Sequence, residues 1–163
     1  MDTATTYYSS PLGPLMIQCQ NDHISAILFK EEKEEDVNAV DHPVLQNCVQ
    51  QLTEYFEGRR KTFDLPLQQQ GTNFQIKVWD LLYTIPYGKT ISYMQLAKQY
   101  GDVKAIRAIA SANGKNNISI IVPCHRVIGS NASLTGYAGG LWRKKWLLEH
   151  EAQYHSGVQL LDF

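Results

Sequence analysis

Apolar and polar residues change rhythm along this chain, and the change divides it in two. Near the N-terminus the segments TTYYS, LMIQCQ and HISAILF are extended apolar-rich runs separated by SPLGP and by the Asn21–Asp22 pair. Proline, glycine and Asn-Asp favour turns, so this pattern predicts an antiparallel meander. Val44, Leu45, Cys48, Val49, Leu52, Tyr55 and Phe56 then recur three and four apart, with Gly58 following. That spacing lays one apolar stripe along a helix, and the glycine is placed to end it. Residues 1–70 therefore read as a small sheet carrying a helix.

The polar stretch QQQGT at 68–72 reads as a linker, which sets expected domains at 1–70 and 71–163. Beyond it Thr72 with Gln75, and Ser92 with Gln95, have the spacing of a capping box, in which each side chain satisfies the other's backbone N–H. They predict helices from Asn73 to about Ile85 and over SYMQLAKQY, the second closed by Gly101. Asp102 is placed to cap VKAIRAIASAN, which Asn113 and Gly114 end. Two short helices across a glycine turn make a helix-turn-helix candidate. Next, ISIIV at 118–122 reads as a buried strand ending at Pro123, the loop GSNASLTGYAGG follows, and a helix runs from Leu141 to about Glu151.

In the second helix of that motif Val103, Ile106 and Ala110 are expected to face inward, leaving Lys104, Arg107 and Ser111 outward among Ala105, Ala108 and Ala112. Reading base edges in a major groove takes long polar side chains. A basic face this slim suits a narrow groove, with Arg107 the side chain long enough to enter a base stack. Net charge supports a polyanionic partner. The overall −1 conceals 5 Lys+Arg against 11 Asp+Glu in residues 1–70, and 10 against 5 in residues 71–163. The acidic run EEKEED at 31–36 explains part of this contrast but not the positive second half.

The three cysteines, Cys19, Cys48 and Cys124, are odd in number and widely spaced, so neither a disulfide framework nor a four-ligand zinc site is suggested. Cys19 and His23 lack further ligands, and no metal is expected. The N-terminus has no basic start leading into an apolar run, and no apolar stretch approaches a membrane span. The expectation is a soluble intracellular protein of a reducing compartment, cytoplasmic or nuclear, without a membrane partner.

Cys124 is the residue to explain. An unpaired cysteine is ordinarily a small buried hydrophobe, and reactivity needs an electropositive setting. His125 follows it directly, but neighbours on an extended chain point to opposite faces. A direct thiol–imidazole pair is thus disfavoured, and a proton relay through water leaves a thiol that is deprotonated on demand.

PCHRV at 123–127, SYMQLA at 92–97, KAIRAIASANGKN at 104–116, GYAGG at 136–140 and WLLEHE at 146–151 together resemble the O6-alkylguanine-DNA alkyltransferases, or methylated-DNA-protein-cysteine methyltransferases. The match covers residues 72 to 151 in the family's order and spacing; over 1–70 it rests on SPLG and the order of elements. The resemblance implies an α+β protein with an N-terminal ribonuclease-H-like domain, a small sheet with a helix, and a C-terminal winged-helix-like domain carrying the helix-turn-helix. It implies Cys124 as alkyl acceptor, His125 as water-linked base, Glu151 as the carboxylate orienting that histidine, and Asn116 as the brace of the active-site turn. Tyr93 would hydrogen-bond a flipped guanine and turn the phosphate, and Arg107 would fill the vacated stack, with Lys104, Ala105, Ala108 and Ser111 beside it on the DNA. Tyr137, Ala138, Gly139, Val127 and Ser119 would line the pocket. It further implies no cofactor, irreversible single-turnover transfer from O6-alkylguanine, with O4-alkylthymine a further substrate left open, and double-stranded DNA held in its minor groove by a monomer, cooperativity being left open. Ala138 stands where some members have serine, which removes one side-chain bond to O6, and the ligands of the family's N-terminal zinc cannot all be found. Two other readings are a damage sensor of the alkyltransferase-like kind, disfavoured by Cys124, and a thiol hydrolase, disfavoured by the placing of His125.

Overall fold

The computed structural model describes residues 3–33, 41–129 and 136–156 and divides into two compact units, Met1–Gln70 with Asn117–Ser119, and Gly71–Asn116 with Ile120–Phe163. The acidic positions 34–36 and the loop positions 130–135 lie outside the described residues.

In the first unit the meander forms as a three-stranded antiparallel sheet of β1 (Thr3–Ser10), β2 (Gly13–Gln20) and β3 (His23–Phe29), in that order. Asn21 and Asp22 both take left-handed backbone, φ 51° and 61°, the conformation a tight two-residue hairpin demands and one these residues tolerate. Period-2 alternation buries Leu15, Ile17 and Cys19 on one face of β2. Against the sheet packs α1 (Pro43–Phe56), its Leu45, Cys48, Leu52, Tyr55 and Phe56 buried. Burying a leucine side chain contributes about 1.5–3 kcal/mol. Two short segments cover the outer edge of β3: Ile24 N–H donates to the Pro66 carbonyl (2.8 Å), and Ile27 N–H donates to the Asn117 carbonyl (2.8 Å) while Ser119 N–H donates back to Ile27 (3.0 Å). An edge left bare would expose unpaired amides.

The second unit is helical. Both capping boxes form, at the N-termini of α2 (Asn73–Tyr83) and α3 (Tyr93–Tyr100). α2 ends two residues before the expected Ile85: Thr84 N–H bonds back to Leu81, and Pro86 lies just beyond. Gly101, φ 103°, turns the chain out of α3; a Cβ at this position would meet no neighbour, so the requirement is the left-handed backbone itself. Asp102 caps a 3-10 turn over Val103–Ala105 that leads into α4 (Ile106–Gly114). Among the described residues the unit's sheet is a two-residue parallel pairing of β4 (Ile91–Ser92) with β5 (Val127–Ile128). α5 runs Leu141–Ser156, past the expected Glu151. No helix among the described residues is long and apolar enough to cross a membrane.

Two expectations are corrected. The run 118–122 is buried but is not a strand: Ile118 makes one bridge to Ile27, and Ile120 then adopts φ 73°, which reverses the extended path. The inward face of the second helix is also different. Because the first turn is 3-10, with three residues per turn, the stripe shifts phase. Val103 is exposed, whereas Ile109, Ala112 and Asn113 are buried, so Ala112 is part of the core rather than the slim outer face.

Candidate active site

A sharply shaped segment carries Cys124. Pro123, φ −84° and ψ 64°, makes an inverse γ-turn in which Cys124 N–H donates to the Val122 carbonyl at 2.8 Å. Cys124, His125 and Arg126 then form one 3-10 turn, closed by Arg126 N–H on Pro123 at 3.0 Å, and all three are buried. Two amides hold the segment from α4 and its exit: Asn116 Nδ2 donates to the Val122 carbonyl at 2.8 Å and Asn113 Nδ2 to the Cys124 carbonyl at 3.5 Å. A left-handed β-branched residue such as Ile120 is a rare and strained conformation, and it stands at the start of this same segment. The histidine is therefore delivered by a turn, not by the alternation of a strand.

The charges sort themselves around Glu151. Its Oε2 accepts from His125 Nε2 at 2.7 Å, and Arg126 donates Nε to Oε1 at 2.8 Å and Nη2 to Oε2 at 3.1 Å. Burial opposes ionisation of Glu151, but His125 and Arg126 outweigh it and hold the carboxyl well below the usual carboxylate range. Burial pushes the His125 imidazole below its ordinary value; Glu151 opposes this, and Arg126 and Lys144 add to it. His125 is accordingly a neutral imidazole whose Nε2–H points at the carboxylate. Its Nδ1 is then a lone-pair acceptor, buried and with no hydrogen-bond partner among the described residues.

Burial raises the Cys124 thiol, opposed by the Asn116 amide, the Lys144 ammonium and a backbone N–H. At rest the sulfur is a thiol beside an unprotonated imidazole. Lys144, on α5, is fully buried; its Nζ donates to the Val127 carbonyl at 2.7 Å, and burial lowers its pKa to about 8.

Of the expected pocket residues, Val127 is buried in β5, Tyr137 is half-buried, Ala138 is exposed, and the Gly139 carbonyl accepts from Arg143 Nη1 at 2.9 Å. Ser119 is buried and belongs to the first unit through its bond to Ile27. On the helix-turn-helix, Tyr93 is the first residue of α3 with Ser92 as its cap. Lys104, Arg107, Ala108 and Ser111 are exposed and Ala105 half-buried. Helical phase thus leaves a basic surface with little bulk.

Arg126 and Lys144 went unread in the sequence, although signals existed. A charged residue inside the buried run 120–127 must have a counter-charge, and Lys144, Leu147 and Glu151 stand at i, i+3 and i+7 on one face of α5.

Two family models match the chain: 6-O-methylguanine DNA methyltransferase, ribonuclease-like domain, over residues 4–69, and 6-O-methylguanine DNA methyltransferase, DNA binding domain, over residues 73–153. The chain belongs to the 6-O-methylguanine DNA methyltransferase family. It is 48% identical over 143 residues to the constitutive methylated-DNA–protein-cysteine methyltransferase of Bacillus subtilis (strain 168), covering 82% of this chain and 87% of that protein. The crystal structure of the Mycobacterium tuberculosis O6-methylguanine methyltransferase superposes with a TM-score of 0.83 at 41% identity, covering 94% of each chain. The crystal structure of Mycobacterium tuberculosis OGT in complex with DNA superposes with a TM-score of 0.81 at 42% identity over 93% of each chain. The family's α+β architecture, a small ribonuclease-like sheet followed by a helical DNA-binding domain, is the one described above.

Proposed function

We propose that this chain repairs alkylated DNA by taking the alkyl group of O6-alkylguanine onto Cys124, once per molecule. The carrying observation is that Cys124 and His125 share one turn in which Glu151 holds His125 by Nε2, while Nδ1 has no hydrogen-bond partner among the described residues. Such a set, a nucleophile, a base and a group orienting the base, makes a thiolate on demand. His125 takes the thiol proton through a water, since adjacent residues on a tight turn present their side chains in different directions. The sulfur then displaces guanine at the alkyl carbon: an S–C bond forms, the C–O6 bond breaks, and the electron pair passes to the guanine ring.

Tyr93 relieves that charge by donating its hydroxyl to a ring nitrogen, and the relay returns a proton, so no oxidant or co-reactant is required. Tyr137, Ala138, Gly139 and Val127 form the chamber. A paired base cannot reach a buried sulfur, so the nucleotide is extruded at a cost of a few kcal/mol, offset by Arg107 filling the gap from the minor groove. Lys104, Ala105, Ala108 and Ser111 lie along the same groove, and each monomer suffices, because it carries its own acceptor. The site of action is wherever the DNA lies, cytoplasm or nucleus. O4-alkylthymine presents the same alkyl–oxygen bond.

A thioether has no hydrolytic exit, so the protein is consumed. Incubation with a duplex bearing O6-methylguanine should add one methylene to the Cys124 peptide, with one methyl moved per molecule. Cys124→Ala should bind the duplex and gain nothing. Repeated turnover, or modification of another residue, would overturn the reading.

A further inference from the structure

Arg126 is connected on three sides. Beyond its two bonds to Glu151, Nη1 donates to the Ile85 carbonyl just past α2 at 2.6 Å, and its guanidinium lies 5.7 Å from the centre of the Tyr87 ring. The side chain is buried, and the planar fork matches a carboxylate edge-on as no lysine can. Its place decides what Glu151 does to its other partner. A buried carboxylate whose only cationic neighbour were His125 would draw a proton onto the imidazole to balance its charge. Here Arg126 already balances it, at two oxygens, from the residue next to the histidine.

We propose that Arg126 is a positioning residue for alkyl transfer: by holding Glu151 in a two-point ion pair it keeps His125 neutral, so that Nδ1 can accept the thiol proton. This rests on the function proposed above. The other groups facing the pair act in the same sense or weakly. Lys144 from α5 disfavours a charged imidazole, Asn113 from α4 and Asn116 beyond it are neutral amides on the Cys124 turn, Cys124 itself is an uncharged thiol at rest, and Tyr87, between α2 and β4, is pushed up to about 12 and stays neutral.

The test is the titration of His125, followed by NMR in protein labelled at histidine Cε1 and assigned with His125→Gln, beside the pH–rate profile of methyl transfer from an O6-methylguanine duplex. Arg126→Met should raise the His125 midpoint by about one unit or more. The acid limb of the rate profile should move up in pH by the same amount, with the rate falling about tenfold per pH unit below the raised midpoint and recovering above it. Arg126→Lys keeps the charge and should return the midpoint most of the way to that of the parent protein. Should Arg126→Met not fold, Arg126→Gln carries the same expectation. An unmoved midpoint, or a rate lowered equally at every pH, would overturn the proposal, because a merely structural role loses rate without moving the titration. If the unaltered protein gained no methyl, the proposed function would fall, while the titration would still decide the coupling of Arg126 to His125.

Discussion

Asn116 donates its side-chain amide to the carbonyl of Val122 at 2.8 Å, and so ties the exit of α4 to the peptide that ends in Cys124. It also opposes, by hydrogen bonding, the rise that burial imposes on the Cys124 thiol. Asn116→Ala removes one of the two hydrogen bonds that the Val122 carbonyl accepts, the other coming from Cys124 N–H, which costs about 0.5–1.5 kcal/mol. Urea denaturation should show that loss, and the pH midpoint for alkylation of Cys124 by iodoacetamide should move upward.

Glu151 predicts how the protein fails in acid. Its carboxyl titrates in the folded state well below the unfolded value of roughly 4.3. The stability it contributes is therefore complete above that value and is lost as the pH falls toward the folded pKa. Glu151→Gln should make the acid limb of the stability curve shallower. At neutral pH it should also cost about 3–5 kcal/mol, because Arg126 stays buried without its counter-charge.

The buried Lys144 works in the alkaline direction. With a folded pKa near 8 against an unfolded value of about 10.4, the unfolded chain binds the extra proton between those values. This group's contribution to stability therefore rises with pH across that window. Lys144→Met should flatten the difference between denaturation midpoints measured at pH 8 and pH 10.

Lys104 and Arg107 separate charge from intrusion. Both are exposed on the slim face. Lys104→Ala should weaken duplex binding at every sequence and reduce the slope of log affinity on log salt by about one. Arg107→Ala should spare binding more than transfer: the methyl-transfer rate on duplex should fall about tenfold or more, since a few kcal/mol of unstacking goes uncompensated, and should fall less on single strands.

Ser92 accepts from Gln95 N–H at 3.0 Å, and Gln95 Oε1 accepts from Ser92 N–H at 2.8 Å. Ser92→Ala should cost about 1 kcal/mol, read as a lower Tm, and should loosen Tyr93, which begins the helix that this cap sets.

Features written in short stretches of sequence were the legible ones. Both capping boxes, the glycine exit of α3 and the Asn21–Asp22 hairpin depend on residues within a turn of one another. Periodicity found α1, whose stripe stays in phase throughout. It misplaced the inner face of α4, since a 3-10 start changes the phase before the stripe begins. It also took 118–122 for a strand, because β-branched residues carry the same signal whether paired or merely buried, and nothing local announces the reversal at Ile120. In the candidate site, Cys124, His125, Asn116 and Glu151 could be named beforehand through the family resemblance, and the structure places them around one turn. Arg126 and Lys144 escaped because each satisfies its charge with a group many positions away, Glu151 and the Val127 carbonyl.

The pairing of Asn117–Ser119 with Ile27 sets a rule for dissecting the chain. Scission at Gly71 yields no intact half: the leading fragment keeps Ile27 with its N–H and C=O unanswered, and the trailing fragment carries a strip of backbone whose docking edge has been removed. Separate expression of either piece should give material prone to aggregate through those bare amides, and mixing the two pieces should restore solubility.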